Sequence, residues 1–187
     1  MRIVGGTKKG KKLITPSDEK TRPTSDKARE SLFNILNSIL LKKGKTWEKL
    51  TFLDVFAGTG AVGLEALSRG AKEAWFIENH MPAVKCLKTN AELFENAHVL
   101  VCDATCPPFR TAPVSVVFMD APYREELWEK ALSGLNNKGW IDNKTLIVIE
   151  IEKNEENILP PNFKLIDDRI YGRNRLLFCK KDDNNPK

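Results

Sequence analysis

Two stretches of the chain bring chemically capable residues to the ends of apolar runs. The first is Leu53-Asp54-Val55-Phe56-Ala57-Gly58-Thr59-Gly60-Ala61-Val62-Gly63 and the second is Phe118-Met119-Asp120-Ala121-Pro122-Tyr123. The second ends a β-branched run on an acid, a small residue, a proline and an aromatic ring. A turn needs only the proline, whereas a site for a flat ring bearing an amine can use all four. The exocyclic amine of a nucleobase is a poor nucleophile because its lone pair is delocalised into the ring. Acceptors at its two N–H groups draw the nitrogen towards tetrahedral geometry and free that pair. The Asp120 carboxylate and the Ala121 backbone carbonyl are the candidate acceptors, Pro122 fixes the turn and Tyr123 offers a face for stacking.

The first stretch sets a GxGxxG pattern between an apolar strand and a helical segment. In that context glycines allow a tight turn and let a ligand press on backbone N–H groups at a helix N-terminus. Glu78, about twenty residues further on, ends the next strand, where a carboxylate can accept both ribose hydroxyls. That feature suits NAD and S-adenosylmethionine equally. Asp54, just before the glycines, would repel a pyrophosphate and favour the ammonium of a methionine moiety. Asp103, at the end of the third strand, can accept from an adenine amino group. With Asp120, four strand ends carry acids on one edge, which favours a cationic sulfonium cofactor. Methyl transfer from a sulfonium is an in-line displacement, so alignment supplies much of the rate, and Asp120 can take the proton as the nitrogen becomes cationic.

These residues need a scaffold that delivers successive strand ends to one side. Apolar strands at Phe52–Phe56, Ala74–Glu78, His98–Cys102, Val114–Asp120 and Thr145–Ile151 alternate with helical stretches near Val62–Ser68, Met81–Phe94 and Glu125–Leu135. Strands with helical crossovers imply an α/β fold, a mostly parallel sheet with helices on both faces. Phe163–Tyr171 and Arg175–Cys179, joined at Gly172-Arg173-Asn174, read as a final hairpin that sets an antiparallel strand in that sheet. Ahead of the sheet, Ala28, Leu32, Ile35, Leu36, Ile39 and Leu40 recur at helical spacing, which predicts a helix over Ser25–Leu41. The whole chain, 1–187, reads as a single domain with a basic arm over about 1–24 and a frayed polar tail over about 181–187.

Charge is unevenly placed. Residues 1–29 hold nine Lys or Arg against three Asp or Glu, more than the net charge of +5 for the whole chain. Such a local excess points to a polyanion, with Lys8, Lys9, Lys11 and Lys12 as phosphate contacts; a solvated arm is the alternative. The four cysteines form no CxxC pair and there are two histidines, so no metal site is expected and the cysteines read as free thiols. No apolar run approaches the roughly eighteen residues that span a bilayer, and the start carries no signal-peptide core, which predicts a cytoplasmic protein without a membrane partner.

The blocks "RIVGGTKKGKKL", "TRPTSDKARESLFNIL", "LDVFAGTGAVGLEALSRGA", "FIEN" and "MDAPY" occur in an order and spacing that resemble the RsmD-type ribosomal RNA guanine-N2 methyltransferases over nearly the whole length. The resemblance implies a class I (Rossmann-like) seven-stranded methyltransferase fold. It implies methyl transfer from S-adenosyl-L-methionine, giving S-adenosyl-L-homocysteine, to N2 of a guanine in 16S rRNA of an assembled small ribosomal subunit. By this resemblance the cofactor sites fall on Asp54, Phe56, Ala57, Gly58, Gly60, Glu78, Asp103 and Ala104, and the catalytic motif on Asp120, Ala121, Pro122 and Tyr123. Arg22 and Thr24 match a block near the active-site mouth. The family pattern usually has two prolines after the acid; Ala121 replaces the first, which keeps the carbonyl and gives up one fixed φ angle. A monomer is expected. The alternatives are an adenine-N6 methyltransferase on nucleic acid, a non-catalytic rRNA-binding assembly factor and, third, a dehydrogenase.

Overall fold

Apolar strands alternating with helices can bury both of their faces by lining up in parallel beneath those helices. The computed structural model, which describes residues 1–16, 26–121, 127–155 and 159–182, has this arrangement. Strands β1 (Thr51–Val55), β2 (Glu73–Glu78), β3 (Ala97–Val101), β4 (Val116–Asp120), β5 (Leu146–Glu152), β6 (Phe163–Tyr171) and β7 (Asn174–Lys181) form one seven-stranded sheet in the order β3-β2-β1-β4-β5-β7-β6. The first five pair in parallel; β7 runs antiparallel to both β5 and β6. Strand order reverses between β1 and β4, and ligands of open α/β sheets bind outside the strand C-termini at such a reversal. Both chemically capable stretches lie there.

Helices α1 (Asp26–Lys42), α2 (Ala61–Ser68) and α3 (Met81–Ala91) cover one face, and α4 (Leu127–Asn137) covers the other. The first face packs Leu32, Phe33 and Leu36 of α1 against Phe52, Phe76, Phe118 and Phe178 of the sheet. The second packs Trp128, Leu132 and Leu135 of α4 against Leu53, Val117, Met119 and Ile149. Every residue of α2 is buried. A helix buried on all sides needs cover away from the sheet as well, and residues 1–14 supply it, bonding to its Glu65 and Ser68.

The basic start is therefore no free arm over this stretch. It folds back on itself through a bridge between Arg2 and Lys12, with Ile3 and Leu13 in the core. Val4 N–H donates to Glu65 Oε2 (2.7 Å), Ser68 Oγ donates to the Gly5 carbonyl (2.6 Å) and Thr7 N–H donates to the Ser68 carbonyl (2.7 Å).

Element ends differ from expectation for local reasons. β7 reaches Lys181 because Lys180 and Lys181 pair with Lys164 and Phe163, and Asp182 N–H donates to the Asn162 carbonyl (2.8 Å), so residues 181 and 182, expected in the tail, are paired; the rest of it lies outside the described residues. β4 starts at Val116, and the N–H of Val114 is taken by the Trp140 carbonyl. α3 stops at Ala91, and tight turns carry the chain through Phe94. All four cysteines are free thiols.

Candidate active site

The glycine loop leaves β1 through Phe56, a non-glycine residue in the left-handed region (φ 60°), and Ala57, whose N–H donates to the Ile77 carbonyl (3.0 Å). Left-handed backbone at a bulky residue is unfavourable unless its surroundings impose it, and such positions cluster at ligand sites. Gly58 follows at φ 55°, and a Cβ there would meet no atom within 4 Å. Glycine is thus set by its φ, and the space before it is open to a ligand. Gly63 is different: a Cβ would lie 2.3 Å from the Phe76 ring, so only glycine lets α2 approach β2 this closely. Gly60 stands between them as the N-cap of α2.

Strand register gathers the acids. Asp54 is the Cα partner of both Phe76 on β2 and Phe118 on β4, and Glu78 and Asp120 lie two residues beyond those phenylalanines. Side chains alternate with a period of two, so Asp54, Glu78 and Asp120 share one face, the face under α2. Asp120 is in turn the partner of Glu150 on β5. Glu150 is a buried acid that accepts a hydrogen bond from the Asn174 side chain. Sequence reading missed Glu150 and Asn174: the run Ile149-Glu150-Ile151-Glu152 shows an alternating acid, but its neighbour follows only from the register of β5 with β4 and β7.

Glu78 is held by three backbone donors: Gly58 N–H reaches Oε2 (2.7 Å), and Asn79 and His80 N–H groups reach Oε1 (2.9 and 2.8 Å). It ties the glycine loop to the start of α3 and keeps acceptor capacity, because each carboxylate oxygen accepts more than one bond. Asp54 is 2% exposed, and its Oδ2 accepts from Gly63 N–H at 2.8 Å. Burial pushes its carboxyl up to about 8, against the Gly63 bond and with help from the Glu78 charge. Asp120 is also driven well above the usual carboxylate range, first by burial, then by Glu150 and Asp54. Acids packed so closely cannot all ionise at little cost, and a cation among them relieves the repulsion.

Asp103 lies two residues beyond β3 rather than at its last position. Its Oδ1 accepts from Thr105 N–H and Oγ1, both at 2.8 Å, and those bonds hold its carboxyl below the usual value; Ala104 beside it is buried. Ala121 is buried at the end of β4. Pro122, Tyr123, Arg22 and Thr24 lie outside the described residues. Lys8, Lys9, Lys11 and Lys12 are exposed on the N-terminal fold-back, and Lys8 N–H donates to Ser68 Oγ at the far end of α2 from the glycine loop. Among the described residues no group of three His, Cys, Asp or Glu is arranged to hold a metal ion, and no helix is long and apolar enough to cross a membrane.

The residues present fit a cationic, nucleoside-bearing donor. Gly58 leaves open space, Glu78 and Asp103 offer carboxylates at adjoining strand ends, and the acid cluster disfavours a pyrophosphate. Comparison with known proteins agrees with this. The sequence profile of the family described as "Conserved hypothetical protein 95" matches residues 1–180. The chain is 34% identical over 177 residues to ribosomal RNA small subunit methyltransferase D of Escherichia coli K12, covering 92% of this chain and 86% of that one. It is 32% identical over 182 residues to the methyltransferase of the same name from Haemophilus influenzae, covering 92% and 89%. The solved structure of the Escherichia coli yhhF protein superposes with a TM-score of 0.80 at 31% identity, covering 97% of this chain and 98% of that one. The chain belongs to the RsmD-type methyltransferase family.

Proposed function

We propose that this protein transfers a methyl group from S-adenosylmethionine to the exocyclic N2 of a guanine in small-subunit ribosomal RNA, acting on an assembled subunit. The observation that carries this reading is the carboxylate row on one sheet edge, Glu78, Asp54 and Asp120 in register beneath the glycine loop. The names of the relatives supply the RNA class. The donor, when bound, supplies an electrophilic methyl group on a sulfonium.

The chain's own residues do the rest. Glu78, fixed by three backbone donors, takes the ribose hydroxyls, and Gly58 clears the space beside it. Asp103, pinned by Thr105, accepts from the adenine amine, with Ala104 packed beneath. Asp54 presents negative charge to the methionine ammonium from under the loop. Asp120 and the Ala121 carbonyl accept from the target amine, and Pro122 and Tyr123 complete the motif, Tyr123 stacking on the base. The raised proton affinity of Asp120 suits an acceptor working near neutral pH. Lys8, Lys9, Lys11 and Lys12 contact phosphates, and Arg22 and Thr24 bind the RNA substrate. The protein acts as a monomer, one domain sufficing for both ligands.

The test is transfer of label from S-adenosylmethionine to small subunits and to naked 16S rRNA that lack the mark, followed by digestion to nucleosides. Label in N2-methylguanosine, faster on subunits, is the expected result. Label found only in N6-methyladenosine would sink the guanine assignment, and equal rates on both substrates would sink the assembled-subunit reading.

A further inference from the structure

Arginine and lysine are used differently in this chain. Arg2, Arg29, Arg69, Arg110, Arg169 and Arg175 each hold a carboxylate. Among the described lysines, Lys164 pairs with Asp182, and no other holds an acid. Many of these lysines share one edge of the sheet. Lys42, Lys43 and Lys45 stand at or just beyond the C-terminal end of α1, and Lys180 lies near the end of β7. Lys180 lies two residues beyond Phe178, on the face that α1 covers, and burial, then Lys180, then Lys45 pull the Lys43 ammonium down to about 8. Like charges crowded at a surface repel unless an anion lies between them.

The crowding continues along the edge. Lys72 N–H donates to the Leu50 carbonyl (2.9 Å), which brings Lys72 beside Lys49, and the fold-back carrying Lys8 to Lys12 is bonded to Ser68 at the end of α2. Acids stand in this band as well: Glu48 beside Gly70, Glu73 at the start of β2 with Arg110, and Asp182 just past Lys180 with Lys164. All of it lies where the parallel strands begin, opposite the carboxylates. α1 connects the two edges: Ala28 in its first turn lines a cleft with Glu150 and Asn174, and Lys42 ends it. Seventeen residues at about 1.5 Å each make α1 about 25 Å long.

We propose that this edge, centred on Lys42, Lys43, Lys45 and Lys180, is a second RNA-binding surface that takes phosphates of a folded RNA about 25 Å from the base being methylated. The inference rests on the proposed rRNA substrate and deepens it: an RNA held at both edges at once must be folded, and a small loop around the target does not reach.

The test uses the full chain with K42Q, K43Q and K180Q combined. Affinity for 16S rRNA is measured against salt, together with kcat/KM on unmarked subunits and on a minimal hairpin bearing the target guanine. The variant should lose about two to three units of the log–log salt slope and about tenfold or more in kcat/KM on subunits, through KM. It should match the wild type on the hairpin and in donor affinity. An unchanged salt slope overturns the proposal, as does an equal loss on both substrates. So does a variant that loses only binding to phosphatidylserine vesicles, which would mark the edge as a membrane contact. If the wild type methylates neither RNA, the functional reading fails while the salt slope still judges this surface.

Discussion

The two edges of the sheet carry opposite charges and hold them in opposite ways. On the edge where the parallel strands end, Glu78, Asp54 and Asp103 are each bonded to backbone N–H groups, so their positions are fixed before any ligand arrives. On the edge where the strands begin, Lys42, Lys43, Lys45 and Lys180 hold no acid. The difference matches two kinds of partner. A small donor and one base need groups fixed to within fractions of an ångström, and backbone bonds supply that. An RNA backbone presents repeating charge that flexible ammonium groups can follow, and its binding grows with the number of phosphates neutralised.

The largest effect should come from the edge of fixed acids. Asp120→Ala removes the acceptor proposed for the target amine and should lower kcat by about 10³-fold, while calorimetry finds donor affinity within about twofold of wild type. Activity within tenfold of wild type would show that Asp120 is only a turn residue. Glu78→Ala should act in the other way. It removes the anchor of Gly58 and the acceptor proposed for the ribose hydroxyls, weakening donor binding by about 100-fold, or ~2.7 kcal/mol. At saturating donor most of kcat should return. A fall in kcat with unchanged donor affinity would reverse the roles given to these two acids.

Much of this arrangement is legible in the sequence because short-range patterns dictate it. The apolar strands ending on Asp54, Glu78 and Asp120 and the spacing of Gly58, Gly60 and Gly63 are local features, and the parallel sheet follows from the alternation of strands with helices. What escapes the sequence depends on long-range pairing. Glu150 becomes the neighbour of Asp120 only through the β4–β5 register. The basic start becomes a cover for α2 only because Ser68 and Glu65 hold it there. Lys181 reads as the start of a tail, and β6 makes it the last residue of a strand that also holds Lys180.

A smaller effect tests how rigidly the acid edge is built. Gly63→Ala places a Cβ 2.3 Å from the Phe76 ring, between α2, which follows the glycine loop, and β2, which ends on Glu78. Overpacking of this kind costs about 1–3 kcal/mol, which in a chain of this size lowers Tm by about 2–4 °C for each kcal/mol. Thermal unfolding would measure it, and donor affinity should weaken in step because the Asp54–Gly63 bond shifts. A variant as stable as the wild type would mean that α2 can move away from β2 freely.

The subtlest prediction concerns charge held in reserve on the same edge. Asp54 has its carboxyl raised from 3.8 to about 8 in the folded chain, so between those values the folded state binds a proton that the unfolded state has released. Its contribution to stability is then complete below about pH 4 and is lost as pH rises towards 8, the slope being set by the difference in bound protons. Asp54→Asn keeps an oxygen to accept from Gly63 N–H and removes the titration. Denaturant unfolding between pH 5 and 8 should therefore show a shallower decline for the variant, with some decline remaining because Asp120 shifts in the same direction. Identical pH slopes would mean that Asp54 is already ionised in the folded protein, balanced by a cation it holds without a donor, and the acid edge would then be as pre-paired as the lysine edge is not.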